Sequence, residues 1–212
     1  MTRIKCKTRE EWLNCRAKQG IGASEAAAAV GLSPWMTQTE LWQLKTGLVQ
    51  PKDISDNEAV SRGVMYEPAL RGMYMAGHPE YQLEHHPFDM LYQKERPWLF
   101  CTLDGEVTDA AGRKGILEIK TASPVGRAWT AWEGKIPDHY LCQVTSQLIS
   151  TGYDFADLYA GLWDTNRNEI IIREYHLERE QCQADIDWLT AELEKFWESV
   201  QKKQMPKVKL SI

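Results

Sequence analysis

Residues 101–120, CTLDGEVTDAAGRKGILEIK, carry charged side chains inside sequence that otherwise has the composition of β-strands. Apolar runs before Asp104 and before Glu118 flank a turn at Ala110–Gly112, which predicts a β-hairpin. A hairpin centred on the turn places Asp104 opposite Glu118 and brings Lys120 to the same face of the sheet. Charged residues within a strand destabilise it unless they face solvent or bind something.

The opposed carboxylates of Asp104 and Glu118 predict a metal site. Two like charges at this spacing repel each other unless a cation lies between them, and Mg²⁺ prefers carboxylate oxygens. The carbonyl oxygen of Ile119 lies in the same neighbourhood and is a further candidate ligand. Lys120 would orient or help to deprotonate a water molecule and stabilise a pentacovalent phosphate. The pattern therefore predicts hydrolysis of phosphodiesters.

An alternative interpretation of the same residues is a salt-bridge pattern on the surface. Asp104 and Glu118 would then each pair with a lysine or arginine and face solvent. The spacing alone is short and common, so it does not decide between the two interpretations. The apolar flanks, WLFCTL and GIL, favour buried strands and hence a functional reason for the carboxylates.

The composition predicts one globular domain. Any contact with nucleic acid would be confined to a part of its surface. The chain has 212 residues, of which 43% are hydrophobic and 26% charged, enough for a substantial core. A net charge of −5 argues against DNA binding over the whole surface, so any such contact requires a locally basic cleft or channel. No apolar run reaches the ~20 residues of a membrane span, which predicts a soluble intracellular protein.

The cysteines argue against a zinc or iron–sulfur site. They are scattered, contain no CxxC pair and are expected to be reduced thiols: Cys6, Cys15, Cys101, Cys142 and Cys182.

The order of elements predicts a single α/β domain over residues 1–212 with a central mixed β-sheet flanked by helices. N-terminal helices are expected across residues 8–76, a catalytic sheet and helix across 80–175, and a C-terminal helix over 178–203. Thr8 is the expected cap of the first helix. Pro68, inside the helical pattern of residues 56–76, predicts a kink or a second helix start near Tyr66.

Several segments, in order, resemble the YqaJ-like viral recombinases, the lambda-exonuclease-type alkaline exonucleases of phages and prophages. The resemblance covers residues 12–163 and rests on GIGASEAAAAVGLSPW, LWQLKTG, RGVMYEPAL, LDG…LEIK and YLCQVTSQL. It implies a restriction-endonuclease-like core with a PD-(D/E)xK signature, in which Leu103-Asp104 replaces the usual Pro-Asp.

The resemblance implies a set of catalytic residues. Asp104 and Glu118 match the metal-binding carboxylates, with the Ile119 carbonyl beside them, and Lys120 matches the catalytic lysine. Glu67 matches a helix glutamate that completes the metal site, and Gln143 matches a glutamine near the catalytic centre. Taken without the resemblance, Glu67 is an exposed helix carboxylate and Gln143 a solvated amide.

The GIGASE segment resembles the element that binds a terminal 5′-phosphate. A helix N-terminus is a favourable phosphate site, and Ser24 adds a hydroxyl. Thr102 matches a position where the family uses a hydroxyl near the phosphate, and either Arg16 or Lys18 supplies the cation. The alternative for Ser24 is a plain helix cap.

The activity implied by the resemblance is 5′-to-3′ hydrolysis of linear double-stranded DNA. The implied products are 5′-mononucleotides and a 3′ single strand, and the implied cofactor is two Mg²⁺ ions, with Mn²⁺ as the substitute. The implied assembly is a homotrimeric ring around DNA that works with a phage single-strand annealing protein in the cytoplasm of a bacterial host, with no membrane partner. Candidate channel residues are Arg62, Arg113, Lys114, Arg127 and Lys135, and the tail QMPKVKLSI is a candidate for partner contacts.

Three other functions are compatible with parts of the pattern. An endonuclease of the same superfamily would share the site but lack end recognition, against which the GIGASE segment argues. An iron–sulfur relative would need suitably placed cysteines, which the chain does not have. A catalytically inactive DNA-binding module would keep the fold without the chemistry, against which the intact Glu67, Asp104, Glu118 and Lys120 argue.

Overall fold

A computed structural model of the chain describes residues 1–51 and 57–206. The strands are β1 (Thr2–Ile4), β2 (Ile21–Gly22), β3 (Gln82–Glu84), β4 (Met90–Tyr92), β5 (Leu99–Cys101), β6 (Gly105–Thr108), β7 (Lys114–Ala122), β8 (Phe155–Asp164) and β9 (Glu169–Glu178). The helices are α1 (Arg9–Gln19), α2 (Ala26–Ala29), α3 (Gln38–Lys45), α4 (Glu58–Gly77), α5 (Asp138–Thr151) and α6 (Gln183–Gln201), with 3₁₀ turns at Ala23–Glu25 and Gly126–Trp132.

The strands form two mixed sheets. The first has the order β1-β4-β5-β2 and the second the order β3-β6-β7-β8-β9. The pairs β2–β5 and β7–β8 are parallel and the other pairs antiparallel. The apolar run that the sequence suggests as one strand divides between the sheets at residues 102–104. The predicted α/β fold with mixed sheet and flanking helices is confirmed, with its sheet in two parts.

The five-stranded sheet is covered by α4 on one face and α5 on the other. Because side chains alternate along β7, Leu117 and Ile119 pack with Leu70 and Tyr74 of α4. Ile116 faces the opposite way, into the cluster that includes the buried side of α5. Glu118 and the side chain two residues beyond it share this α5 face, so α5 is positioned to hold them.

Helix starts and ends agree with the sequence in some places and correct it in others. Thr8 caps α1, accepting a hydrogen bond from the Glu11 backbone at 3.2 Å, as predicted. The second helix start near Tyr66 is wrong, because α4 continues through Pro68. Pro68 is exposed, so the helix bond lost there is at the solvent side. Asp56, the first residue of the predicted helix, lies outside the described residues.

Ser24 is not the helix cap that the alternative interpretation required. It lies within the 3₁₀ turn Ala23–Glu25 and is exposed. The backbone N–H of Gly22 at the start of this turn instead donates to the Glu25 carboxylate at 2.8 Å. The Ser24 hydroxyl is therefore available to other groups.

A buried polar contact fixes α4 on the sheet. Asp157 on β8 is 1% exposed and accepts a 2.5 Å hydrogen bond from the hydroxyl of Tyr74 on α4. His176 of β9 contacts the other carboxylate oxygen of Asp157 at 2.6 Å. Burial and the nearby Asp157 charge raise the pKa of Tyr74, so its hydroxyl stays a donor. The helix that carries Glu67 is thus tied to the same sheet as Glu118.

Two further features bear on the sequence expectations. All five cysteines are free thiols. Within residues 1–51 and 57–206, no helix has both the length and the apolar character needed to cross a bilayer. The last residues of the C-terminal tail, 207–212, lie outside the described part.

Candidate active site

The hairpin β6–β7 brings Asp104 and Glu118 together in the predicted register. Gly105 pairs with Leu117, so the next residues of the two strands in this register are Asp104 and Glu118. The Asp104 carboxylate accepts a 2.7 Å hydrogen bond from the N–H of Ile119. Because the N–H and C=O of a strand residue point to the same side, the Ile119 carbonyl also faces Asp104. The hairpin prediction is confirmed.

Glu118 lies at the centre of a hydrogen-bonded group beneath α5. It is 2% exposed, and its Oε1 accepts hydrogen bonds from Lys120 Nζ and Gln143 Nε2, each at 2.5 Å. Its Oε2 accepts from Gln147 Nε2, one helical turn beyond Gln143. The surface salt-bridge interpretation is wrong in this respect, because Glu118 pairs with Lys120 inside the protein.

Burial and neighbouring charges shift the pKa values of Asp104 and Lys120. Burial and the negative charge of Glu118 raise the pKa of Asp104 well above its usual range, and Lys120 offsets only part of that effect. Burial acts to lower the pKa of Lys120, but Glu118 and Asp104 outweigh it and the net shift is upward. The Lys120 ammonium, which also lies 5.3 Å from the ring centroid of Tyr140, is therefore held protonated.

Glu67 on α4 is linked to the backbone of Asp104 by hydrogen bonds of Arg71. Its carboxylate accepts a hydrogen bond from Arg71 Nη2, and Arg71 Nε donates to the backbone carbonyl of Asp104 at 2.9 Å. His85 Nδ1 donates to the same carbonyl, also at 2.9 Å. Sequence reasoning missed Arg71 and His85. Arg71 could have been found, because it follows Glu67 by four residues on one helix face.

Trp12 lies between the Arg16–Ser24 pair and Thr102. Arg16 Nη2 donates to the Ser24 hydroxyl at 2.7 Å, and its guanidinium lies 5.4 Å from the ring centroid of Trp12. The Trp12 indole N–H donates to the Thr102 hydroxyl at 2.9 Å. A Cβ on Gly22 would lie 3.0 Å from Arg16 Nη2, so glycine leaves room for the guanidinium.

Lys18, the other candidate cation, is placed differently. It is exposed and follows Arg16 by two residues on α1, which turns its side chain roughly 200° away around the helix. The geometry therefore favours Arg16 as the partner of Ser24.

The candidate channel residues do not form one surface around the carboxylates. Arg113 pairs with Asp109 and Glu178 at the hairpin turn. Lys114 is six residues before Lys120 on β7, roughly 20 Å along the strand. Arg62 donates to the Ser123 hydroxyl at 2.7 Å, just beyond the end of β7. The other two candidates are exposed in the segment before α5: Arg127 and Lys135.

The donor atoms at Asp104 and Glu118 suit a hard divalent cation. Across the described residues, no group of three or more His, Cys, Asp or Glu side chains is arranged for metal binding. The available donors are two carboxylates and the Ile119 carbonyl, all of them oxygens, which Mg²⁺ prefers. Burial and the Glu118 charge raise the pKa of Asp104, and a bound cation would favour its ionised form. The residues present therefore fit such an ion.

The fold of the chain is similar to that of several solved exonucleases. The alkaline exonuclease LHK-Exo from Laribacter hongkongensis superposes with a TM-score of 0.66 at 20% identity, covering 92% of this chain and 94% of that one. Its complex with dAMP gives a TM-score of 0.65. A phage-related exonuclease from Haemophilus somnus 129PT gives 0.57 at 12% identity, covering 87% of this chain and 96% of that one. The chain thus has the fold of these exonucleases.

Sequence similarity is more specific than the fold. Residues 11–154 match the YqaJ-like viral recombinase domain, and the chain belongs to that family. It is 31% identical over 166 residues to the uncharacterized protein YqaJ of Bacillus subtilis (strain 168). This match covers 72% of the chain but 45% of the relative, so the chain spans less than half the length of that protein.

Gln147 is a buried hydrogen-bond partner of Glu118 that the sequence did not reveal. It is fully buried and donates to Glu118 Oε2, while its own Oε1 is unpartnered among the described residues. We expect Gln147→Leu to lower kcat for DNA cleavage by about 10–100-fold, as loss of a supporting shell does at other sites. KM should change little, because Gln147 is fully buried and cannot contact a substrate in this structure. Steady-state kinetics measure both, with exposed Gln181→Leu as the control. An equal rise in KM would contradict a positioning role.

Proposed function

We propose that this protein is a metal-dependent 5′-to-3′ exonuclease that hydrolyses linear double-stranded DNA and leaves 3′ single strands for recombination by annealing. The observation that carries the proposal is the opposed pair Asp104 and Glu118 with a protonated Lys120 bound to Glu118. Membership in the viral recombinase family supports it independently.

Asp104, Glu118 and the Ile119 carbonyl would hold Mg²⁺, or Mn²⁺ in its place, and two ions are proposed. When bound, the metal supplies charge neutralisation at the phosphate and lowers the pKa of attacking water. Glu67 would join the site by exchanging its contact with Arg71. Asp104 and Glu118 therefore do not act as proton carriers in the proposed reaction.

Lys120 acts on the phosphate as a cation. Its ammonium is fixed by Glu118, and Tyr140 borders it on the other side. A protonated lysine at this point orients the attacking water and stabilises the negative charge that develops on the phosphate oxygens. The Gln143 amide, bound to the same carboxylate oxygen as Lys120, keeps Glu118 in place during the reaction.

Arg16, Ser24 and Thr102 would bind the terminal 5′-phosphate of the DNA. A guanidinium and two hydroxyls match the charge and the acceptor oxygens of a phosphate. Thr102 is two residues before Asp104, so a phosphate held there is next to the catalytic group along the chain. LHK-Exo has been solved with dAMP, a 5′-mononucleotide, which is the class of product proposed for this chain.

Replacing Arg16 and replacing Lys18 should affect recognition of the 5′-phosphorylated end differently. We expect Arg16→Ala to abolish the preference for a 5′-phosphorylated end over a 5′-hydroxyl end, with a loss of about 10–100-fold on the phosphorylated substrate, in line with ~1.5–3 kcal/mol for a charged hydrogen bond. Lys18→Ala should keep the preference, because Lys18 points away from Ser24. Initial rates on the two substrates measure it, and equal effects of both variants would contradict the assignment.

The proposed assembly follows the family. We propose a homotrimer that encircles DNA ends and passes the 3′ strand to a phage single-strand annealing protein in the bacterial cytoplasm. An acidic chain with a net charge of −5 suits such an arrangement only if its basic residues are gathered on an inner surface.

Degradation of end-labelled DNA tests the proposed activity and its polarity. Linear duplex DNA with 5′-phosphates, labelled at either the 5′ or the 3′ terminus, is incubated with the protein and Mg²⁺. Circular duplex DNA and an EDTA reaction serve as controls. We expect early release of the 5′ label as mononucleotide, retention of the 3′ label, and no reaction in either control.

Each other outcome identifies an alternative. Cleavage of the circular DNA, or internal fragments from linear DNA, would establish an endonuclease. DNA binding with no hydrolysis under Mg²⁺ or Mn²⁺ would establish an inactive DNA-binding module.

A further inference from the structure

Trp35 is an exposed aromatic side chain on a tightly fixed turn. It is 70% exposed, although a tryptophan is usually buried over most of its surface. The Ser33 hydroxyl accepts hydrogen bonds from the backbone N–H groups of Trp35, at 3.2 Å, and Met36, at 3.3 Å. Thr37 and Glu40 then form the capping box that starts α3. The backbone on both sides of Trp35 is thus defined, and the ring is presented without a loose loop.

The rings of His139 and Tyr140 lie between Trp35 and Lys120. It meets His139 edge-to-face, with centroids 4.6 Å apart, and lies 5.9 Å from the Tyr140 ring. His139 and Tyr140 contact each other at 4.1 Å, and the Tyr140 ring is 5.3 Å from Lys120 Nζ. Trp35 is therefore within reach of a strand held at Lys120, at a separation of a few nucleotides given ~3.4 Å per stacked base.

The surroundings of Trp35 favour a flat, neutral ligand over a charged one. Burial and the nearby Lys120 charge lower the pKa of His139, which favours the uncharged imidazole beside Trp35. An exposed indole backed by a tyrosine and a neutral imidazole is a surface for ring stacking. Aromatic side chains in proteins that bind single strands stack on bases of any sequence, because every base has a π-face.

We propose that Trp35, supported by His139 and Tyr140, stacks on a nucleobase of the DNA strand whose phosphodiester lies at Lys120. The inference rests on the proposed function in that its ligand is the DNA substrate. It adds a base-binding position to a group of residues for which only phosphate and metal contacts are proposed above. Stacking there lets the enzyme hold a base of any identity while the neighbouring phosphate is cleaved.

Binding of labelled oligonucleotides without hydrolysis tests this stacking. Fluorescence anisotropy in EDTA, and separately in Ca²⁺, gives the Kd for an oligothymidylate and for a duplex with a single-stranded extension. We expect Trp35→Ala to weaken binding between about 5- and 100-fold, the range that corresponds to one stacked base. Trp35→Phe should bind within about threefold of the wild type, because a phenyl ring still stacks. Trp188→Ala, at an exposed tryptophan of α6, should leave the Kd unchanged.

Oligonucleotides with abasic sites separate base stacking from other effects. The wild type should bind them more weakly, and Trp35→Ala should cause no further loss. An equal loss on abasic and normal strands would overturn the proposal, as would an unchanged Kd or the absence of any wild-type binding. A changed sedimentation coefficient for Trp35→Ala with unaltered DNA affinity would show that another copy of the chain covers Trp35 and would also overturn it.

The binding assay distinguishes this inference from the proposed activity. Trp35-dependent binding by a protein that does not cleave DNA would reject the nuclease and retain the stacking. Normal 5′-to-3′ degradation by Trp35→Ala, with unaltered Kd and KM, would reject the stacking and retain the nuclease.

Discussion

Replacing Lys120 with alanine is expected to reduce the rate of DNA hydrolysis by about 10²–10⁴-fold, the range for loss of a positioned proton-transfer or charge-stabilising group. The ammonium is kept protonated by Glu118 and Asp104, whose effect outweighs that of burial. Its absence removes the cation that is bound to Glu118 and proposed to stabilise the scissile phosphate. Single-turnover hydrolysis of a 5′-labelled duplex at saturating enzyme reports the chemical step directly.

A matched variant separates this effect from damage to the fold. Lys120→Ala leaves Glu118 buried with its two glutamine donors but without its cation, so some loss of stability is expected as well. Lys195→Ala, at an exposed lysine of α6, should retain wild-type activity. The rates are compared well below the Tm of each variant. A Lys120→Ala protein that is folded and keeps more than a tenth of wild-type activity would contradict the assignment.

The β6–β7 hairpin could be predicted because its determinants are local. A turn at Ala110–Gly112 fixes the register, and the two-residue period of a strand then places Asp104 against Glu118. The same period places Leu117 and Ile119 against α4. The resemblance to the family added Gln143, which the structure places 2.5 Å from Glu118. Its catalytic role, like those of the other site residues, stays a prediction.

Other parts of the fold depend on contacts between distant segments, which the sequence pattern does not contain. The apolar run before Asp104 looks continuous, yet β5 pairs with the two-residue strand β2 while β6 pairs with β7. The apolar pattern alone does not indicate that the chain passes from one sheet to the other at Thr102. The short strand β2 has no periodicity to detect, because two residues cannot show an alternation.

Apart from Arg71, the side chains that support the site could not be identified from the sequence. His85 meets the carbonyl of Asp104 from a segment 19 residues earlier. In the sequence, Gln147 is one of several polar residues of an amphipathic helix. Its contact with Glu118 depends on how α5 packs against β7. Nothing in the sequence sets Trp35 apart from the other eight tryptophans, whereas the structure leaves it 70% exposed beside His139.

Replacing Asp104 with asparagine is expected to abolish hydrolysis while making the metal-free protein more stable at neutral pH. Burial and Glu118 raise the pKa of Asp104 in the folded state, so its ionised form opposes folding. The asparagine side-chain oxygen can still accept the hydrogen bond from the Ile119 N–H. We expect a loss of activity of about 10³-fold or more, from removal of a metal ligand. We also expect a Tm higher by a few degrees, since ~1 kcal/mol corresponds to roughly 2–4 °C in a chain of this size.

The pH dependence of this stability difference follows from the upward shift of the Asp104 pKa. An unfolded aspartate loses its proton near pH ~3.9, whereas the folded protein keeps the Asp104 proton to a higher pH. Over that window the unfolded state binds fewer protons, so the contribution of Asp104 to stability falls as pH rises. The stability advantage of Asp104→Asn over the wild type should therefore be small at pH ~4 and grow as the pH is raised. Urea unfolding in EDTA across this range measures the difference.

An aspartate with the opposite shift is the control, and Mg²⁺ gives the second arm of the experiment. Hydrogen bonds from Arg113 outweigh desolvation and lower the pKa of Asp109, so Asp109→Asn should reduce stability at neutral pH. Mg²⁺ should raise the Tm of the wild type by mass action and that of Asp104→Asn much less. Equal stabilisation of both by Mg²⁺ would place the ion away from Asp104. A less stable Asp104→Asn protein in EDTA would show that the Asp104 charge supports the fold and would reject the repulsion between Asp104 and Glu118 as the reason for a bound cation.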